Sequence, residues 1–305
     1  MKTAREIFEK ISREQDFQRA NSAHPLDLYC GLDETGRLTL LLGSEDEPPN
    51  LVSTKVIEVK IGQREDCRWA LSFSLADNDF KDLFLRFCDD IITASSGLKN
   101  ADRGGRFVAT RYNDWQKMLS AVSKDVLSSS EIKGLIGELI FLRDVLMPNY
   151  GKQMALQSWT GPEKASQDFI FPNTWYEVKT TRSGTNDITI SSVEQLDSDQ
   201  EGTLAVLFLD PTSRTDEKGI TLNRLYNEFS SLLNTEEFKI FELLLLKNGY
   251  FPRKEYDNFI YRPNGRRLFR VDENFPCLRR NQIPVAVVNA SWTLSLAAVS
   301  DWLKE

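Results

Sequence analysis

The chain has 305 residues, 38 Lys and Arg against 45 Asp and Glu (net charge −7), one histidine and four cysteines. One histidine excludes histidine-pair zinc proteases and leaves no basis for a Ser-His-Asp triad or a histidine-based nuclease. His24, in Ser22-Ala23-His24-Pro25, reads as a surface loop residue. Cys30, Cys67, Cys88 and Cys277 form no Cys-x-x-Cys, which argues against structural zinc and disulfides and for a reducing, cytoplasmic setting. No apolar run approaches the ~20 residues that span a bilayer.

In chain order, residues 1–13 read as a short helix around Ile7, Phe8 and Ile11. Strand-like segments follow at 27–32, 37–42, 52–61 and 68–75, separated by turn signals such as Asp33-Glu34-Thr35-Gly36. Phe80, Leu83, Phe84, Phe87 and Ile91 have helical spacing and place a helix at 77–95. The composition shifts between 96 and 128. This predicts an N-terminal β-rich domain over 1–125, contacting DNA or a partner, and a second domain over 126–305. In the second domain a helix is predicted at 129–147. Ser128 and Glu131 have capping-box spacing, and Leu127 and Ile132 sit where a hydrophobic staple would. Strands are expected near 154–158, 167–171, 174–181, 203–209, 267–271 and 283–290. Helices are expected at 219–233, 236–247 and 297–303. This order predicts an α/β (α+β) fold, a mixed sheet flanked by helices. No P-loop motif is present.

The informative stretch runs from Gln167-Asp168-Phe169 to Glu177-Val178-Lys179. Read as two strands joined at Pro172-Asn173, it sets Asp168 opposite Glu177 on one face, with Cβ atoms about 5 Å apart. An odd loop would put them on opposite faces. Pro172 suits a primed two-residue turn poorly, so a four-residue loop over 171–174 is expected. Lys179 and Trp175 share the face of Glu177, and Trp175 suggests a cleft. Opposed carboxylates repel unless compensated, and Mg²⁺ (or Mn²⁺ in its place) is the natural compensation. Lys179 would assist the attacking water or stabilise phosphate charge. On the preceding helix Glu138 lies at the margin of the apolar face, about 40° from the Leu142 edge. Gly134 and Gly137 beside it suggest a close backbone.

Glu138, Asp168 and Glu177-Val178-Lys179 together resemble the PD-(D/E)XK nuclease superfamily over residues 128–210. The resemblance implies an αβββαβ core and a metal held by Asp168, Glu177, the Val178 carbonyl and Glu138. It also implies a role for Gln195, which follows the third strand as the family's glutamine often does. Gln167 stands where the family often has proline. The implied function is a Mg²⁺-dependent DNA endonuclease of restriction or phage defence, similar to poorly characterised bacterial defence-associated members. Two active sites for double-strand cleavage imply a homodimer. A second reading keeps the fold as a non-catalytic DNA-binding or scaffold subunit among other defence-system proteins.

A second string, Asp46 with Glu58-Val59-Lys60, reads as alternating charge on an exposed strand rather than a site. Two basic stretches are candidate phosphate tracks. The first, 97–124, carries Arg103, Arg106 and Arg111. The second, 250–282, carries Arg262, Arg266, Arg267, Arg279 and Arg280 with interleaved tyrosines.

Overall fold

A computed structural model of the chain describes residues 3–14, 16–98, 104–119, 126–161 and 165–304. The chain divides into two compact units, Met1–Lys124 and Asp125–Glu305.

The first unit is an antiparallel sheet backed by helices. Its elements are α1 (Ala4–Phe8), β1 (Phe17–Arg19), β2 (Asp27–Leu32), β3 (Leu38–Ser44), β4 (Ile57–Gln63), β5 (Trp69–Leu75), α2 (Lys81–Ser95) and α3 (Gly104–Leu119). The strand order is β1-β2-β3-β5-β4. Helix α1 is shorter than the predicted 1–13, and β4 starts later than the predicted 52. Helix α3 falls in a stretch read from sequence only as glycine punctuation and positive charge. Its buried stripe is Val108, Ala109, Tyr112, Trp115 and Leu119, at helical spacing. Tyr112 and Phe87 pack on Phe73 of β5. His24 is not at the surface. Its Nδ1 accepts from the Leu26 N–H at 3.0 Å, and its Nε2 lies 3.0 Å from the Ile92 carbonyl, so both ring nitrogens are satisfied in the interior. On β4, Glu58 is paired by Arg37 and Lys60, as expected of an exposed charged strand.

The second unit carries α4 (Ser129–Phe141), a π turn (Leu142–Leu146), α5 (Met147–Tyr150) and α6 (Lys152–Ser158). Next come β6 (Phe169–Phe171), β7 (Thr174–Thr181), β8 (Asp187–Ile190), a 3₁₀ turn (Val193–Gln195) and β9 (Gly202–Pro211). The remainder is α7 (Leu222–Leu232), α8 (Thr235–Lys247), β10 (Tyr261–Val271), β11 (Trp292–Ser295) and a final 3₁₀ turn (Ser300–Trp302). The main sheet is mixed, ordered β10-β9-β7-β6, with β7 parallel to β9 and the other pairs antiparallel. One face packs on α4, α6, α7 and α8 through Val178, Ala205 and Leu207. The other carries Trp175, Leu204, Val206 and Phe269 and is covered by the β8–β11 ribbon. This is the mixed sheet flanked by helices that the order of elements predicts.

Four predicted elements differ, the expected helix at 297–303 being only the 3₁₀ turn Ser300–Trp302. Residues 154–158 are helical in α6, because Met154, Ala155, Leu156 and Gln157 are strong helix formers. Residues 283–290 form no strand, since no sheet edge pairs with them. Val285 and Val288 stay 93% and 87% exposed, and pairing begins only at Trp292. Strand β10 extends well before 267 because a register shift between Pro263 and Arg266 absorbs the Pro-Asn-Gly sequence at a sheet edge.

Helix α4 starts at the Ser128–Glu131 capping box. A Cβ on Gly137 would lie 2.1 Å from Thr180 Cγ2 of β7, whereas one on Gly134 would meet nothing within 4 Å. Only Gly137 therefore marks a close approach. Gly137→Ala is expected to destabilise by about 1–3 kcal/mol, with recovery in a Thr180→Ser background that removes the methyl. Gly134→Ala is expected to stabilise by about 0.5–1 kcal/mol. Urea denaturation measures both, and equal effects at the two glycines would refute the close packing.

Candidate active site

The β6–β7 hairpin has the predicted face but not the predicted loop. Phe169 pairs with Tyr176, Ile170 with Trp175 and Phe171 with Thr174, which leaves the two-residue turn Pro172-Asn173. Among the described residues Cys67 is the only non-glycine with positive φ, so both turn residues have negative φ. Proline fits that geometry, because its ring fixes φ near −65°. The primed form it disfavours is not used. Extended by one residue, this register sets Asp168 level with Glu177. Asp168 Oδ2 accepts from the Val178 N–H at 2.8 Å, beyond the end of β6.

Glu177 is 1% exposed, and neither carboxylate oxygen has an aligned hydrogen-bond donor among the described residues. The Lys179 ammonium lies 2.7 Å from Oε1 as an ion pair, off the axis of a good hydrogen bond. That ammonium also donates to Gln195 Oε1 at 3.0 Å. Gln195 Oε1 accepts in addition from the Ser191 N–H at 2.8 Å. Trp175, on the same face, lines no cleft. It is buried, packs against the Gly202 backbone and donates its Nε1–H to the Gln200 carbonyl, as core beneath the site.

Glu138 reaches this region from α4. Trp159, stacked on Phe169 and Phe241, donates its Nε1–H to Glu138 Oε2 at 2.8 Å. The chain after Trp159 runs beside Asp168, whose carbonyl accepts from the Thr160 and Gly161 N–H groups. A Cβ on Gly161 would lie 3.3 Å from Glu138 Oε2 and 3.4 Å from Asp168 Oδ1. Gly161 therefore leaves room for two acids at one place. Glu138, Asp168, Glu177, Lys179 and Gln195 are thus brought together.

The electrostatics are those of a crowded acid group. Burial raises the Asp168 carboxyl to about 6, opposed by the Val178 N–H and the Lys179 charge. Burial, then Asp168, raises Glu138 to about 8. Burial, then Asp168, pushes Glu177 well above the usual carboxylate range, although Lys179 pulls it down. Among the described residues no three His, Cys, Asp or Glu side chains already close around one point. The oxygens of Asp168 and Glu138 are partly engaged by Val178 and Trp159, while both Glu177 oxygens lack aligned donors among the described residues. These carboxylates are all hard oxygen donors, the type that divalent cations take.

The basic residues divide. Arg103 lies outside the described residues. Arg106 is exposed on α3. Arg111 makes a two-point pair with Asp90, and Arg262 with Asp216, so both are already neutralised by acids. Arg266 is half-buried opposite Leu207. Arg267 pairs in register with Val206, which pairs with Lys179, so Arg267 shares the sheet face of Lys179 two strands away. Its guanidinium sits over Phe208. Arg279 is occupied by the Leu196 and Ser198 carbonyls and Asp197.

Sequence reading missed Trp159 and Gly161 as supports. Their contacts to Glu138 and Asp168 follow no local spacing, and only Trp-Thr-Gly close before Asp168 hints at a tight approach. A family profile described as "Putative PD-(D/E)XK family member, (DUF4420)" matches residues 4–297. No match is found among curated proteins or among solved structures.

Proposed function

The chain belongs to the DUF4420 family of PD-(D/E)XK members, and from that premise we propose that it is a divalent-metal-dependent endonuclease hydrolysing DNA phosphodiester bonds. The observation that carries this reading is Glu177: a buried carboxylate with no aligned donor among the described residues, beside two further acids and a lysine. A scaffold gains nothing from such a group. Asp168, Glu177 and the Val178 carbonyl would hold Mg²⁺, or Mn²⁺ in its place, with Glu138 completing the shell. The Val178 carbonyl points to the same strand edge as its N–H, which meets Asp168. The bound cation supplies positive charge that offsets the acids and the phosphate. Lys179, held at Gln195, carries a proton beside the reacting phosphate and orients water or stabilises developing negative charge. Arg267 is the best placed of the candidate cations to contact a neighbouring phosphate, about 10 Å across two strand spacings.

In this reading the N-terminal sheet unit contacts DNA or a partner protein. The enzyme works in the cytoplasm, as a dimer for double-strand cleavage, in restriction or phage defence. No helix among the described residues is long and apolar enough to cross a membrane. The test is incubation of the full chain with supercoiled and linear duplex DNA. Cleavage is expected with Mg²⁺ or Mn²⁺ and not with EDTA. Failure to cleave any DNA form with either ion, together with no Mn²⁺-induced thermal stabilisation, rejects the nuclease reading. Mn²⁺ stabilisation without cleavage favours a DNA-binding subunit instead.

A further inference from the structure

We propose that Gln167 is a positioning residue that braces the turn presenting Gln195 to Lys179; this deepens the nuclease reading and rests on it. Gln167 immediately precedes Asp168 and is one of the few buried polar side chains of the second unit. Its backbone lies two residues before β6, where its carbonyl accepts from Thr160 Oγ1 at 3.0 Å. Its side-chain Nε2 donates to the Glu194 carbonyl at 2.8 Å.

Glu194 and Gln195 lie in the single 3₁₀ turn between β8 and β9. That turn has no side-chain cap at Ser192. Downstream it is tied by Arg279 and by the Arg280 N–H donating to Asp197 at 2.8 Å. Upstream, the Gln167 amide ties it to the segment that carries Asp168 into β6. A one-turn helix has few backbone bonds of its own, so such ties set its position.

The consequence falls on Lys179. Its ammonium has two close acceptors among the described residues, Gln195 Oε1 and Glu177 Oε1. The two acceptors share the ammonium, Gln195 Oε1 at 3.0 Å and Glu177 Oε1 at 2.7 Å. If the turn drifts, the ammonium is left to Glu177 alone, where it competes with a cation for that carboxylate. A proline before Asp168 has no side-chain donor and cannot make this tie.

The brace is read in the metal-free full chain by hydrogen exchange at the Ser191 amide. Ser191 is exposed, and its N–H donates to Gln195 Oε1, so its protection reports where Gln195 sits. Gln167→Met keeps the side-chain length and removes the donor. We expect Ser191 exchange to rise about tenfold in Gln167→Met and in Gln195→Ala, with β7 amides unchanged. With Mg²⁺, Gln167→Met should lower kcat for DNA cleavage and leave KM unchanged. The double variant should cleave no worse than Gln195→Ala alone. Wild-type Ser191 protection in Gln167→Met, or additive losses in the double variant, overturns the brace. If Gln167→Met fails to fold, Gln167→Glu retains the shape and lacks the donor, and the same exchange reading decides. A wild-type chain that cleaves nothing sinks the nuclease reading while the exchange measurement still judges the brace.

Discussion

Lys179→Ala is expected to lower Mg²⁺-dependent cleavage of duplex DNA by about 10²–10⁴-fold, the range for a positioned proton-transfer group. Metal binding should survive, because Asp168, Glu177 and Glu138 remain. The lysine side chain is only 16% exposed, its ammonium set between Glu177 and Gln195. Removing it takes away the one cation paired with Glu177 among the described residues, so the metal-free variant should melt below wild type. Added Mn²⁺ should narrow that gap by supplying positive charge at the same carboxylate. A lost core contact would lower stability with and without metal alike. Lys179→Arg should not restore cleavage, because a guanidinium fork spreads its charge and demands a different acceptor geometry. Single-turnover kinetics and melting curves with and without Mn²⁺ measure these effects. Cleavage within about twofold of wild type in Lys179→Ala would remove this residue from the mechanism.

The part of the site written in the sequence is the part fixed by strand periodicity. Phe169 and Phe171 must face the helical side, and an even loop is the arrangement that also puts Asp168 opposite Glu177. The glycine-flanked Glu138 was legible for a related reason, though only Gly137 touches β7. The turn type is not legible, since Pro172 disfavours the primed turns usual in two-residue hairpins and an unprimed turn accommodates it. Trp159, Gly161 and Gln167 act across elements through single polar contacts, and no period encodes those. Helix α3 was hidden because its glycines and cations outweighed the buried stripe from Val108 to Leu119. Residues 283–290 show the opposite error. Their β-branched composition is suited to a strand, but a strand also needs a neighbour, which composition does not specify.

Asp168→Asn should make two melting curves cross. In the metal-free protein three carboxyls share a poorly solvated space. Burial raises all three above the ordinary carboxylate range, Asp168 to about 6 and Glu138 to about 8, and the Asp168 charge pushes Glu138 and Glu177 up further. Asparagine removes one of those charges. Its side-chain oxygen can still accept from the Val178 N–H, so the hairpin end keeps its bond. The expected result without metal is a melting point raised by about 2–4 °C, which corresponds to roughly 1 kcal/mol in a unit of this size. With Mn²⁺ the order reverses. Wild type at a metal concentration about a hundredfold above its dissociation constant gains about 2.7 kcal/mol. The variant, lacking a charged ligand, should gain little. Differential scanning fluorimetry in EDTA and in Mn²⁺ shows both halves. A variant less stable than wild type in EDTA would mean that Asp168 is a structural acceptor rather than one of several repelling acids. An undiminished Mn²⁺ shift would mean that the cation sits elsewhere. Crossing requires both that the acids repel one another when empty and that Asp168 is among those that bind.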